Sequence, residues 1–190
     1  MSTILNDDDE SDLSDRSRLR CRDIMTRDVA VVTRGMNLED VALLMRDEDT
    51  GIIPVVEITE DVHRTLEPNE PQTARSRARE HSHGKLLGLI TDRDIVVRVV
   101  AVGRDAKSVL AEEVMTSEIH SAHEDDRVID VIRLMGDKQV RRIPVVSEDG
   151  ILRGIISMAD VVLETEADHE LAAALEEISS GASFWNRVFG

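Results

Sequence analysis

The sequence predicts an α/β protein made of two tandem copies of one strand–helix–strand–strand–helix unit. Three observations predict it. Short motifs recur in a fixed order: Ile24-Met25-Thr26 returns as Val114-Met115-Thr116, and Ile53-Pro54-Val55-Val56 returns as Ile143-Pro144-Val145-Val146. Gly88-Leu89-Ile90-Thr91-Asp92-Arg93-Asp94 returns as Gly154-Ile155-Ile156-Ser157-Met158-Ala159-Asp160. The apolar pattern between these motifs also switches period in the same sequence both times. Repetition of this kind marks units that bury their apolar faces against a neighbour.

Each element follows from local pattern. Val29-Ala30-Val31-Val32 is a β-rich run. Leu38, Val41, Ala42 and Met45 then fall at i, i+3, i+4 and i+7, one face of an amphipathic helix. Asn37 is suited to cap it, and Glu39 and Asp40 lie in the first turn, where the helix dipole favours acids. The second copy repeats the stripe as Val128, Val131, Ile132 and Met135. Two apolar runs follow, Ile52 to Val56 and Leu86 to Thr91, matched by Ile143 to Val146 and Ile151 to Ser157. Their shortness and β-branched content predict strands. From Asp92 a helix is expected, with Ile95, Val96 and Val99 among its apolar positions.

The later strands of the second copy are joined by Ser147-Glu148-Asp149-Gly150, a tight hairpin of turn-forming residues. The first copy instead carries residues 57–83, with Pro68, Pro71 and mixed charge, read as a mobile surface insertion. The domain reading is an acidic disordered tail over 1–20 and a first repeat over 21–109. A second repeat covers 110–165, and a C-terminal helix and aromatic tail cover 166–190. Leu171, Ala174, Leu175 and Ile178 form the stripe of that last helix, and Phe184, Trp185 and Phe189 are the chain's three aromatics, so the core is expected to be aliphatic.

Composition narrows the function. A chain of 190 residues with net charge −16 repels nucleic acid and anionic membrane, and an anionic ligand would need local cations. The single Cys21 rules out an internal disulfide and suits a reducing cytoplasm. The apolar stretch from Ile95 to Val102 is broken by Arg98 and falls short of the roughly 18 residues that span a bilayer. No basic-then-apolar signal opens the chain, so a cytoplasmic protein is expected.

The third motif carries the chemistry. A hydroxyl residue at a strand's end can bond an oxygen ligand, and an aspartate three residues on can accept both hydroxyls of a ribose. The same residues can equally serve as helix caps, with Thr91 and Ser157 at the N-cap and Asp94 and Asp160 completing capping boxes. The two roles are compatible. No nucleophile with a matched base and no phosphate-cradling glycine loop is present, so no catalytic activity is expected.

These motifs, three in order and twice over, resemble the cystathionine-β-synthase-type (CBS) domain, and the two copies together resemble a CBS pair, or Bateman module. The resemblance covers about residues 22–165. It implies a pseudo-twofold module whose sheets pack together and leave two clefts for adenosine compounds: AMP, ADP, ATP, NAD or S-adenosylmethionine. By that resemblance, Thr91 and Asp94 hold the ribose of one site and Ser157 and Asp160 that of the other. Ile53-Pro54 and Ile143-Pro144 line the adenine slots. Arg141 and Arg142 fall where related modules place phosphate contacts, and Arg93 is a further candidate. Arginine forks suit phosphate oxygens. The first copy has Gly51-Ile52 where the second has Arg141-Arg142, so the sites differ in phosphate recognition.

The expected function is a stand-alone regulatory module that senses an adenosine-containing ligand as a homodimer and acts on a protein effector. No metal or required cofactor is expected. His81 and His83, beside Arg75, Arg77 and Arg79, lack the fixed ligands of a metal site, and His120 and His123 read as surface residues. The competing reading is a ligand-free oligomerisation or protein-interaction module, in which the Ser/Thr and Asp pairs only cap helices.

Overall fold

Two three-stranded sheets carry the fold, one for each copy of the repeat. They are seen in a computed structural model that describes residues 19–58 and 84–165. The expectations for the tail before Leu19, for residues 59–83 and for residues 166–190 lie outside these. The described residues divide into two compact units, one grouping residues 26–58 and 84–121 with Val146–Gly154, the other grouping residues 19–25 with Ala122–Val145 and residues 155–165.

In the first unit, β1 (Val32–Thr33) leads through α2 (Leu38–Asp47) to β2 (Ile52–Glu57), which runs parallel to β1 with Val32 beside Val55. β3 (Lys85–Thr91) returns antiparallel to β2, pairing Ile52 with Thr91, Pro54 with Leu89 and Val55 with Gly88, and a bulge at Val55/Val56 takes up one residue. The β-rich run before β1 is only partly strand: Ala30 and Val31 are buried, but the ladder begins at Val32. β2 is central and buries Ile53, Pro54, Val55 and Val56 in succession, as a strand covered on both faces does.

A proline is unusual in a central strand because it lacks an amide donor. Two features accommodate it. Leu89, opposite, directs its N–H to the Thr116 carbonyl (3.0 Å) and accepts from Thr116 N–H (2.9 Å), so it asks nothing of Pro54. On the other side β1 pairs only with Val55 and Val56.

α2 begins as the sequence predicts: the Asn37 side chain accepts from the Asp40 amide at 2.9 Å. Its inward stripe is Leu38, Val41, Leu44 and Met45. Ala42, expected on that face, is exposed, and Leu44 takes its place. After β3, α3 (Asp92–Ile95) continues as a π-helical turn, Val96–Val100, closed by Ala101 N–H to Val96 O (2.8 Å). Ile95 and Val99 are buried, but Val96, expected among the apolar positions of this helix, is 56% exposed. α4 (Ala111–Val114) packs its Ala111 and Val114 into the same core.

The second unit is built on the second copy, where β4 (Ala122–His123), α5 (Val128–Lys138), β5 (Arg142–Val146), β6 (Leu152–Ser157) and α6 (Met158–Thr165) follow the same order, except that Val146–Gly154, the hairpin end of β5 and β6, groups with the first unit. The stripe Val128, Val131, Ile132 and Met135 is buried as expected. The hairpin closes with Ser147 N–H to Ile151 O (2.9 Å) and Gly150 at φ +78°, a left-handed position that glycine takes without strain. α1 (Cys21–Ile24) belongs to this unit: Cys21 N–H donates to Asp126 O (3.0 Å), and Val128 N–H, the first amide of α5, donates to Leu19 O (3.0 Å). In the first unit Val109 does the same for α2, receiving Leu38 N–H at 2.9 Å.

The segments bearing Ile24-Met25 and Val114-Met115-Thr116 thus each fold with the sheet of the other copy. Both cores are aliphatic among the described residues. No helix among them is long and apolar enough to cross a membrane.

Candidate functional site

Each unit brings its motif residues to one end of its sheet. In the first, Thr91 ends β3 opposite Ile52, and Asp94 lies in the first turn of α3. Asp94 Oδ2 accepts from Thr91 N–H (2.9 Å) and from the Thr91 hydroxyl (2.6 Å), while Thr91 Oγ1 accepts from Asp94 N–H (3.2 Å). In the second, Asp160 Oδ2 accepts from Ser157 N–H and the Ser157 hydroxyl, both at 2.7 Å, and Ser157 Oγ accepts from Asp160 N–H (3.3 Å). Capping boxes therefore form in both copies. The capping bonds to each aspartate converge on one oxygen, Oδ2, and hold the carboxylate at a fixed, half-buried position.

A second backbone link fixes the residue before the Ile52-Ile53-Pro54 step and the residue before the Arg142-Ile143-Pro144 step. Asp92 N–H donates to Gly51 O (3.1 Å), and Met158 N–H donates to Arg141 O (2.8 Å). Gly51 to Pro54 are thereby tied to the Thr91 bracket, and Arg141 to Pro144 to the Ser157 bracket. Ile53 and Ile143 are fully buried, with Pro54 and Pro144 buried beside them, so the two isoleucines face the cores rather than an open slot. Arg93, Arg141 and Arg142 are exposed.

Two residues that the sequence reasoning passed over shape the first site. Arg98, on the π-helical turn, places Nη2 3.4 Å from Asp94 Oδ1 and donates from Nη1 to Val114 O at 2.6 Å. The i, i+4 spacing of Asp94 and Arg98 was the signal available for it. The corresponding position in the second copy is Glu164. Asp92 is the other: its carboxylate lies beside Gly51, where a Cβ would come within 3.0 Å of Oδ2.

Gly88 shows why the third motif begins with glycine. A Cβ there would lie 2.6 Å from Met115 Sδ and 3.0 Å from Met115 Cβ. Cys21 is fully buried, and burial, reinforced by the Asp126 charge, pushes its thiol from 9.0 up to about 12. A thiol so placed is not a nucleophile. Among the described residues no group of three or more His, Cys, Asp or Glu could hold a metal ion. His120 is half-buried and His123 exposed.

The geometry defines a class: a tandem α/β module with two brackets of hydroxyl and carboxylate at equivalent sheet ends. The profile of the CBS domain matches residues 21–63 and 111–165. The chain is 30% identical to the CBS domain-containing protein YhcV of Bacillus subtilis over 158 residues, 83% of this chain and 94% of that one. Its fold is similar to that of the CBS domain pair of protein MJ0100, solved in complex with 5′-methylthioadenosine and S-adenosyl-L-methionine (TM-score 0.56, 21% identity, covering 76% of this chain and 97% of that one). It is also similar to CBSX2, solved in complex with AMP (TM-score 0.57, 21% identity, 78% and 96%). The protein belongs to the CBS domain family.

Proposed function

We propose that this protein is a non-catalytic regulatory module that senses an adenosine-containing ligand. The observation that carries the reading is the duplicated bracket: in both copies a carboxylate is held by a strand-terminal hydroxyl and linked through backbone to the Ile-Pro segment. An aspartate fixed in this way is preorganised to accept ribose hydroxyls. Asp94 with Thr91 and Asp160 with Ser157 take that role. Ile53-Pro54 and Ile143-Pro144 present strand backbone to the adenine edge, because the isoleucine side chains are committed to the cores. Arg141 and Arg142 hold phosphate at the second site, and Arg93, the further candidate, lies at the first. The adenosine ligands of the MJ0100 pair and of CBSX2 support this ligand class.

Assembly as a homodimer is part of the proposal. Val96, Val97, Val100 and Val102 are each about half or more exposed on the first unit, as are Val162 and Leu163 on the second (49% to 73%, Val162 45%). Apolar side chains grouped in this way mark contact faces. Ligand binding then biases the module between states that a cytoplasmic protein effector reads, provided the ligand binds them unequally.

The capping boxes favour one other reading, a ligand-free interaction or oligomerisation module, since they satisfy the same side chains without a ligand. A thermal-shift panel of AMP, ADP, ATP, NAD and S-adenosylmethionine separates the two. A ligand at 100 times its dissociation constant stabilises the folded chain by about 2.7 kcal/mol. Silence from all five near millimolar concentration would favour the ligand-free module.

A further inference from the structure

We propose that the first site selects adenosine compounds whose 5′ group is uncharged or cationic and disfavours 5′-phosphates, with Asp92 as the residue that sets this preference. The inference rests on the adenosine reading above and concerns what distinguishes the two sites. Their backbones correspond at one point, where the first amide of the helix bonds the carbonyl of residue 51 or 141. From residue 141 an exposed arginine projects, with Arg142 next to it. At residue 51 there is no side chain, and the Asp92 carboxylate occupies the direction a side chain would take, 3.0 Å from the Cβ position through Oδ2 and 3.3 Å through Cγ. Asp92 Oδ1 also accepts the Arg93 amide at 2.7 Å, which holds the carboxylate in place.

A group extending from a ribose toward residue 141 meets guanidinium charge. The same group extending toward residue 51 meets a carboxylate. The cations nearby do not cancel this. Arg98 is engaged with Asp94 and the Val114 carbonyl, and no bond among the described residues holds the Arg93 guanidinium, exposed like Asp92, beside residue 51, whereas the Asp92 carboxylate is held there. Two like charges a few ångströms apart at a protein surface differ from a neutral pairing by about tenfold or more in affinity. A thioether or sulfonium at the 5′ position escapes that penalty, and a sulfonium gains from it.

Isothermal titration of the full chain with AMP and with 5′-methylthioadenosine tests the assignment. Asp160→Ala is expected to weaken AMP binding by about tenfold or more while keeping methylthioadenosine binding, and Asp94→Ala to leave AMP binding in place. Asp92→Asn in the Asp160→Ala background is expected to raise AMP affinity by about tenfold. Arg142→Ala, at an exposed position, replaces Asp160→Ala should the latter fail to fold, and is expected to weaken AMP alone. AMP binding to Asp160→Ala as tightly as methylthioadenosine would overturn the preference while leaving the adenosine reading intact. Loss of both ligands in Asp160→Ala would overturn it too. If neither compound binds the unaltered chain, the adenosine reading itself falls.

Discussion

Replacing Gly88 by alanine probes the closest approach in the first unit. The backbone there is ordinary strand, so the penalty comes from contact alone. The new Cβ would sit 2.6 Å from Met115 Sδ, 2.9 Å from Cγ and 3.0 Å from Cβ, against an optimum of about 3.5–4.0 Å for such atoms. Met115 packs against the core, so its Sδ and Cγ have little room to swing aside, and its Cβ is held because Thr116 is pinned to Leu89 by a reciprocal pair of backbone bonds, 3.0 and 2.9 Å. Overpacking of this kind costs about 1–3 kcal/mol. The reduced freedom of alanine in the unfolded chain returns about 0.5–1 kcal/mol. A net loss of about 1–2 kcal/mol is expected, a fall in Tm of several degrees for a chain of this size.

The decisive measurement is a double-mutant cycle with Met115→Ala, by urea denaturation followed by far-ultraviolet circular dichroism. Removing Cγ and Sδ takes away the two shortest contacts, so Gly88→Ala should cost less than half as much in the Met115→Ala background. Coupling between touching residues runs about 0.5–3 kcal/mol, and independent sites add within about 0.5 kcal/mol. Additivity within that margin, or a neutral Gly88→Ala, would refute the claim that Met115 is why glycine stands at this position.

Three further outcomes are expected. Asn37→Ala should cost about 1 kcal/mol through loss of the cap, and Asn37→Asp should also destabilise, because Asn37 Nδ2 donates to Asp40 Oδ2 at 2.9 Å and a carboxylate there would face another; equal stability of the Asp variant and the parent would count against this geometry. The raised thiol of Cys21 makes stability fall as pH climbs from 9.0 toward about 12, since only the unfolded chain can ionise it; by pH 10 the loss relative to neutral pH is about 1.4 kcal/mol, and Cys21→Ala should lack this component in parallel urea titrations. In the folded protein Cys21 should also resist thiol reagents until denaturant is added. Val97→Glu combined with Leu163→Glu should leave the fold intact, shift sedimentation equilibrium from dimer to monomer, and so locate the subunit contact; an unchanged mass would place it elsewhere.

Strand content, the two long amphipathic helices, the Asn37 cap, the tight hairpin and the pairing of each hydroxyl with its aspartate were all legible from the sequence. Each depends on residues within a turn or a hairpin of one another, where periodicity and capping preferences act directly. Local pattern erred on two helix faces: Val96, on the π-helical turn, lies outside, and the inward face of α2, a regular α-helix, took Leu44 in place of Ala42. It was silent on Asp92 beside Gly51 and on the anchoring of Arg98 at Val114, which depend on how strand ends and helix starts meet.

The sequence by itself determined that one α/β unit is present twice and that the second copy carries arginines where the first carries glycine and isoleucine. Only the tertiary structure decided which segment completes which unit. Motif order places Ile24-Met25-Thr26 at the head of the first copy, yet α1 lies with the helix and strands of the second, its Cys21 amide on Asp126 and Leu19 capping α5. α4 correspondingly completes the first unit. The reason is physical: both copies present nearly equivalent apolar sites and capping carbonyls, so no local preference distinguishes the exchange, and the choice is made by contacts between residues far apart along the chain.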